Sequence, residues 1–196
     1  MEKILTLQQP APNIEDDLYF FLLEGLLSPD RALCVNVSQL IISSVSTAGV
    51  SGNPIHLQRS LTELQMRLLI TLLESPRYCP HEILHASLFC SYQGLLAGLF
   101  SADKVAREEW LAVVQHYRLL LHHAQAQGTW RKELKRLYNV LSELRAKLRP
   151  FGLGISVSEP DSAYMLIALP SSAGSTSPQG PIYRVHETAF RARRTR

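Results

Sequence analysis

The sequence predicts an α+β protein in which short strands flank a group of helices. Several short segments are rich in β-branched and other apolar residues and are bounded by turn-forming residues, as is typical of strands. In the longer segments between them, apolar residues recur at three- and four-residue steps, which places them on one face of a helix. The predicted strands are 33–37, 40–45, 55–57, 153–157 and 163–169. We expect the last two to form a β-hairpin.

The composition is that of a globular protein with a packed core. The chain has 196 residues, of which 46% are hydrophobic, and its mean hydropathy is close to zero. It has neither an uninterrupted apolar run of about 18 residues nor a basic-then-apolar N-terminal order, so we expect a cytoplasmic location and no membrane contact. Three scattered cysteines, Cys34, Cys79 and Cys90, predict reduced, buried thiols.

Residues 1–32 are predicted to form a helical N-terminal extension. Pro10 and Pro12 interrupt the first 13 residues, which we interpret as a loose leader. After residue 14, apolar residues such as Leu18 and Phe21 recur at helical steps until Ser28-Pro29-Asp30. We therefore expect one short amphipathic helix before the first strand.

Three helices are predicted in the middle of the chain. The first covers residues 61–74, with Ser60 as its N-cap and Glu63 three residues later. The second covers residues 81–90, and the third runs from about 103 to 127, where Gly128 ends it.

Residues 130–148 form the most informative stretch, which we interpret as a basic amphipathic helix. Its apolar face carries Leu134, Leu137, Leu141, Leu144 and Leu148. Its opposite face carries Lys132, Lys135, Arg136, Asn139 and Ala146. This cationic, amide-bearing surface suits a polyanion, although a solvated helix face can carry the same residues.

A specific order of segments follows the basic helix. Leu144-Arg145-Ala146-Lys147-Leu148 precedes Gly152-Leu153, an Ile-containing strand and Ala163-Tyr164-Met165-Leu166. This order resembles the winged-helix DNA-binding domain of OmpR/PhoB-type and ToxR-like regulators, in which the wing returns through a Gly-Tyr-x-Leu strand. Upstream, Ile55-His56-Leu57 leads into Ser60-Leu61-Thr62-Glu63-Leu64, which is similar to the strand and the Leu-Thr-x-x-Glu helix start of that family.

The resemblance implies a winged helix-turn-helix fold over residues 33–169. It implies a small antiparallel sheet at the N-terminal side, a β-hairpin wing at the C-terminal side, and extra helices in an insertion at about 91–128. No phosphoacceptor domain accompanies it, so phosphorelay control is not expected.

The resemblance also implies that the basic helix enters the major groove of double-stranded DNA. Asn139 can pair with an adenine edge through two hydrogen bonds, while the cationic side chains hold phosphates or guanine. Arg145 lies nearer the apolar stripe, so we expect a backbone contact or an internal salt bridge from it. The candidate DNA-binding residues are Arg131, Lys132, Lys135, Arg136, Asn139, Ser142, Arg145 and Lys147.

Residues 81–85, His-Glu-Ile-Leu-His, match the His-Glu-x-x-His pattern of zinc peptidases. Two histidines four residues apart share a helix face and can bind one zinc ion, with Glu82 activating water. The metzincin extension would need glycine at 88 and histidine at 91, where this chain has Leu88 and Ser91. Zinc hydrolysis is therefore a remote alternative, and we expect no enzyme activity, cofactor or metal.

We predict a small transcriptional regulator that binds specific DNA sequences as a homodimer, because the extra amphipathic helices offer more apolar surface than the minimal fold can bury. The alternative is a winged-helix interaction module, in which the inserted helices and the acidic wing at 159–161 contact a partner protein. The tail, residues 170–196, ends in several arginines and is predicted to be disordered, either without function or as an electrostatic arm on DNA.

Overall fold

The computed structural model describes residues 18–46, 55–158 and 163–170. In this part of the chain, two antiparallel sheets and six α-helices form an α+β fold, in agreement with the predicted class. The predicted leader, the acidic wing tip at 159–161 and the tail after residue 170 lie outside the described residues.

The N-terminal sheet contains four antiparallel strands in sequence order. They are β1 (Leu18–Phe21), β2 (Arg31–Asn36), β3 (Ile41–Ser46) and β4 (Ile55–Ser60). The three strands predicted from β-branched composition are confirmed as β2, β3 and β4.

The helix predicted between residues 14 and 26 is wrong for the part that the structure describes, because Leu18–Phe21 is the edge strand β1. Tyr19 and Phe21 pack on Phe100 with ring centroids 4.7 and 6.4 Å apart, while Phe20 is 61% exposed. Side chains therefore alternate between core and surface with a period of two. Pairing with β2 and contact with a distant helix override the local helical spacing.

Six helices connect the two sheets. They are α1 (Glu63–Glu74), α2 (His81–Phe89), α3 (Tyr92–Phe100), α4 (Lys104–Ala126), α5 (Trp130–Glu133) and α6 (Lys135–Leu148). The predicted helices at 61–74, 81–90 and 103–127 are confirmed with small shifts of their ends. The predicted helix at 130–148 is divided at Leu134 into α5 and α6.

The N-cap of α1 differs from the predicted one. Thr62 rather than Ser60 accepts a hydrogen bond from the backbone N–H of Gln65, and the Gln65 side chain accepts one from the backbone N–H of Thr62. This reciprocal pair is a capping box shifted two residues along the chain. Ser60 is still part of strand β4, so it lacks the position of a helix cap.

The C-terminal sheet has the strand order β5-β7-β6. Strand β5 (Cys79–Pro80) lies between α1 and α2 and pairs with β7 (Ala163–Ala168), which also pairs with β6 (Leu153–Ser158). A 3-10 turn at Arg149–Phe151 follows α6, and Gly152 at φ +76° lets the chain turn sharply into β6. The two strands of the predicted hairpin are confirmed.

One hydrophobic core joins both sheets to the helices. It includes Leu33 of β2, Leu72 of α1, Leu141 of α6 and Leu153 of β6, all without exposed surface. Helix α3 lies close to α4, since a Cβ added at Gly98 would be 2.4 Å from Cβ of Trp110. The cysteines are free, as predicted. Cys34 and Cys79 are buried, whereas Cys90 is only half-buried.

Polar contacts fix α1 and the turn after β2 to the junction between α2 and α3. Arg67 of α1 donates to the carbonyl oxygens of Cys90 and of Leu88, the latter at 3.4 Å. The hydroxyl of Tyr92 donates to the carbonyl of Val37 at 3.1 Å. The inserted helices are therefore anchored to the rest of the fold at their beginning.

Candidate nucleic-acid interface

Helix α6 has the two-sided character that the sequence predicts. Its five leucine positions, including Leu134 just before it, are fully buried, and they pack against α1 and the C-terminal sheet. On the opposite side, four exposed residues lie in a row along the helix at steps of four, three and four residues. They are Lys135, Asn139, Ser142 and Ala146, and we call this row the polar stripe. The stripe is about 16 Å long at 1.5 Å per residue. Apart from its first residue its side chains are short, so the helix backbone can approach a ligand closely.

Exposed cations surround the N-terminal end of this stripe. Arg131 and Lys132 lie on α5, and Arg136 lies on α6 beside Lys135. Among the residues that the structure describes, no ion pair involves any of these four side chains. Their positive charge is therefore not neutralised within the described fold and remains available to an anion.

Arg145 and Lys147 are positioned differently from the other candidates. The Nε of Arg145 donates to the carbonyl of Ile155 at 3.0 Å, which ties α6 to strand β6. Of the two predicted alternatives for Arg145, a backbone contact or an internal salt bridge, the structure shows a contact with a main-chain carbonyl. Lys147 is half-buried, and Glu143, two residues before Arg145, accepts a hydrogen bond from Nε2 of Gln65 at 2.9 Å.

An aromatic cluster beside the basic helix escaped the sequence analysis. The guanidinium carbon of Arg136 lies 5.2 Å from the centre of the Phe89 ring, over its face. Phe89 stacks on Tyr117 with centroids 5.3 Å apart and an interplanar angle of 20°. His85 contacts both rings, at 4.9 and 5.2 Å. These residues come from α2, α4 and α6, and no local sequence pattern indicates that they meet.

The two histidines of the His-Glu-x-x-His segment are core residues. His81 is 7% exposed and contacts the rings of Trp130 and Tyr164, while His85 is 2% exposed. Glu82 forms an ion pair with Arg118 at 3.2 Å. Within residues 18–46, 55–158 and 163–170, no three His, Cys, Asp or Glu side chains are grouped so that they could hold a metal ion. The geometry therefore gives the zinc peptidase alternative no support.

The C-terminal half of α4 and helix α5 border an open groove of about 420 Å³. Its lining includes His116, Leu120, His123 and Glu133. His122, the third histidine of this helix, is exposed. These histidines therefore lie at the surface, as expected of polar residues on a solvated helix.

His85 is held in a defined tautomer by its surroundings. Its Nε2 lies 3.4 Å from the carbonyl oxygen of Glu133, where only a protonated nitrogen can donate, and its Nδ1 has no hydrogen-bond partner among the described residues. Burial lowers the pKa of His85, and the carbonyl and charge of Glu133 oppose this shift more weakly. The imidazole is therefore favoured in its neutral form.

We expect acid to destabilise the protein through His85. The unfolded chain, with the ordinary histidine pKa of 6.5, binds this proton more readily than the folded chain does, so stability falls as the pH drops below 6.5. Urea unfolding followed by circular dichroism at pH 7.5 and 5.5 should show a smaller loss of stability for His85→Leu than for the wild type. His122→Leu, at an exposed position, is the control. Its free energy of unfolding should fall between the two pH values by as much as that of the wild type. If His85→Leu lost as much stability as the wild type over the same pH range, His85 would not be the source of the acid sensitivity.

Comparisons with protein-family models, with curated proteins and with solved structures find no match to this chain. In the described part of the chain, no helix combines the length and the apolar character needed to cross a lipid bilayer. Functional inference therefore rests on the geometry of the chain itself.

Proposed function

We propose that this protein is a winged-helix regulator that binds double-stranded DNA through α6. Three features support the proposal. A four-stranded sheet precedes α1, the short strand β5 separates α1 from α2, and α6 leads directly into the β6–β7 hairpin, whose strand β7 pairs with β5. An N-terminal antiparallel sheet, a C-terminal hairpin and additional helices, here α3 and α4, are the elements that the resemblance to OmpR/PhoB-type regulators implies.

The observation that carries the proposal is the polar stripe of α6, flanked by cations that no acid of the described fold neutralises. A helix fits the major groove of B-form DNA, where short polar side chains allow close approach. Asn139 presents both an acceptor and a donor to an adenine edge, and Ala146 can contact a thymine methyl group. Arg131, Lys132, Lys135 and Arg136 would bind phosphates or guanine.

Arg145 has a supporting role in this proposal. Its bond to the carbonyl of Ile155 holds the strand that leads into the hairpin against α6. The helix and the hairpin would therefore approach DNA as one rigid unit. The fully buried leucines beneath α6 prevent the helix from turning its polar stripe away.

The experiment that tests the proposal is binding of the purified protein to a fluorescein-labelled, mixed-sequence DNA duplex, followed by anisotropy at two or more salt concentrations. Each phosphate that the protein neutralises contributes about −0.9 to the slope of log affinity against log salt, so four cations predict a steep dependence. Failure to bind at about 50 mM salt, a condition that favours charge contacts, would reject DNA binding.

We further propose that the regulator is a homodimer joined through β1. This strand is at the edge of the four-stranded sheet. Its Leu18 and Phe20 are 42% and 61% exposed, and Leu22, the residue after the strand, is 62% exposed. The strand carries no charge, whereas edge strands in soluble proteins are commonly protected by charged residues. The other edge, β4, exposes Gln58, Arg59 and Ser60 and is protected in this way.

A second copy of the chain is the partner that suits β1. Two identical antiparallel strands can pair across a two-fold axis, and the lack of charge on β1 removes any repulsion across that axis. The polar β4 edge does not offer a second site of the same kind, so assembly would stop at two chains.

We expect Phe20→Lys to convert the dimer into a monomer, because it introduces facing positive charges at the two-fold axis. Light scattering after size-exclusion chromatography should give twice the 22.0 kDa chain mass for the wild type and 22.0 kDa for the variant. Gln58→Lys, which adds the same charge at the β4 edge, should remain dimeric. A monomeric wild type at about 100 µM, or a dimeric Phe20→Lys variant, would reject this interface.

The second candidate function is a protein-interaction module that uses the inserted helices. Val105, Leu111 and Leu119 of α4 are 60%, 62% and 57% exposed, which is unusual for large apolar side chains on a helix whose other side is buried. This candidate predicts no salt-dependent DNA binding. It also predicts that a partner protein retained by the wild type in a pull-down is lost with the Leu111→Lys/Leu119→Lys variant.

A further inference from the structure

We propose that Phe89, supported by Tyr117, is a positioning residue that holds the guanidinium of Arg136 ready for DNA. The inference rests on the proposed function of α6 and deepens it. It assigns a role in the DNA contact to α4, a helix of the insertion, and to the end of α2.

Phe89, the last residue of α2, is exposed at the protein surface. Its side chain is 42% exposed, although a large apolar side chain next to the core could be buried at little cost. The ring is nevertheless held in place from within the protein. Tyr117 stacks on it at 5.3 Å, and His85 contacts both rings from the core. Phe89 is thus a fixed aromatic surface at the edge of the polar stripe.

Arg136 lies on this surface. Its guanidinium carbon is 5.2 Å from the ring centre, within the range of a cation–π interaction. A free arginine side chain samples many rotamers, and binding a phosphate with it costs the entropy of ordering them. A guanidinium placed over a ring has already lost much of that freedom, while its N–H groups still point outward in its own plane toward a phosphate or a guanine.

The three residues come from three separate helices. The basic helix supplies Arg136, but the two rings that support it come from other elements. Phe89 ends α2, Tyr117 is in the middle of α4, and Arg136 is in the first turn of α6, after the break at Leu134. Lys135, the next cation, has no such ring contact among the described residues. Arg136 is thus a cation held on an aromatic ring, and Lys135 is a neighbouring cation without that support.

The test is a double-mutant cycle on DNA affinity, measured by anisotropy on the full chain with the mixed-sequence duplex described above. Phe89→Leu removes the ring but keeps an apolar side chain, Phe89→Tyr keeps the ring, and Arg136→Gln removes the charge. We expect Phe89→Leu to weaken binding about three-fold, the cost of ordering one free arginine side chain on binding, and Phe89→Tyr to bind like the wild type. In the Arg136→Gln background, Phe89→Leu should have no further effect.

Two further readouts distinguish positioning from a general structural role. Phe89→Leu should leave the slope of log affinity against log salt unchanged, because no charge is lost, whereas Arg136→Gln should reduce its magnitude by about 0.9. Leu111→Ala, which removes an exposed apolar side chain elsewhere on α4, is the matched control and should bind like the wild type.

The possible outcomes separate this inference from the proposed function. Wild-type DNA binding that Phe89→Leu leaves unchanged or strengthens overturns the positioning role alone. An equal loss from Phe89→Leu with and without Arg136 also overturns it, since the ring would then act independently of the arginine. No DNA binding by the wild type overturns the proposed function and this inference together.

Discussion

Lys135→Glu/Arg136→Glu is expected to weaken DNA binding roughly 100-fold at low salt, because it removes two phosphate contacts and places two negative charges at the groove. Both side chains are exposed at the start of α6, where no acid in the described fold pairs with them. The slope of log affinity against log salt should also become less steep by about 1.8. Anisotropy titrations of a mixed-sequence duplex at several salt concentrations measure both quantities.

The control for this prediction is Lys104→Glu/Arg107→Glu, which makes the same change of charge at the opposite end of the long helix α4. Helix α4 is 23 residues long, or about 34 Å, and its other end leads toward α5 and α6. A change in overall charge alone would weaken both variants equally. Equal affinities of the two variants would therefore show that α6 is not the DNA-contacting surface.

Leu141→Ala is expected to lower the free energy of unfolding by about 3 kcal/mol, within the 2–5 kcal/mol that large-to-small core substitutions cost. Leu141 has no exposed surface and lies at the middle of the buried side of α6, so its removal leaves a cavity that the packed core cannot close completely. For a domain of this size the midpoint of thermal unfolding should fall by about 10 °C.

Circular dichroism during heating and in urea measures the effect of Leu141→Ala. Ser142→Ala, one residue away on the exposed stripe, is the control and should change stability by less than about 0.5 kcal/mol. If the two variants were equally stable, α6 would not be packed on its leucine side, and the polar stripe would lose its fixed orientation.

The regular elements of the fold were largely predictable because their signals are local. The apolar run of β2 and the β-branched residues of β3 favour strands, and the five leucines before and within α6 specify one buried side. Gly128, with positive φ, follows the end of α4 close to the predicted place, and Gly152, also with positive φ, ends the 3-10 turn after α6. In each case a few neighbouring residues contain the whole signal.

The errors arose where distant residues decide the local structure. The segment Leu18–Phe21 has apolar residues at spacings that fit a helix as well as a strand, and only β2 on one side and Phe100 of α3 on the other select the strand. The N-cap of α1 moved from Ser60 to Thr62 because β4 extends through Ser60 to pair with β3.

The candidate interface also combines features that the local sequence determines with features that depend on distant contacts. The exposure of Lys135, Asn139 and Ser142 follows from the helical repeat, so the sequence alone was enough to identify that face of α6. The inward turn of Arg145 to Ile155 needed the position of β6, which only the folded chain supplies. Likewise, residues 81–85 have the spacing of zinc ligands, yet Glu82 is paired with Arg118 of α4.

By itself, the sequence determined the fold class, most helices and strands, and the basic side of α6, because periodicity and turn chemistry act over a few residues. Only the tertiary structure decided that Leu18–Phe21 is a strand, that His81 and His85 belong to the core, and that Phe89 lies beneath Arg136. The physical reason is that these features depend on contacts between residues far apart in the chain, and such contacts form only when the whole core is packed.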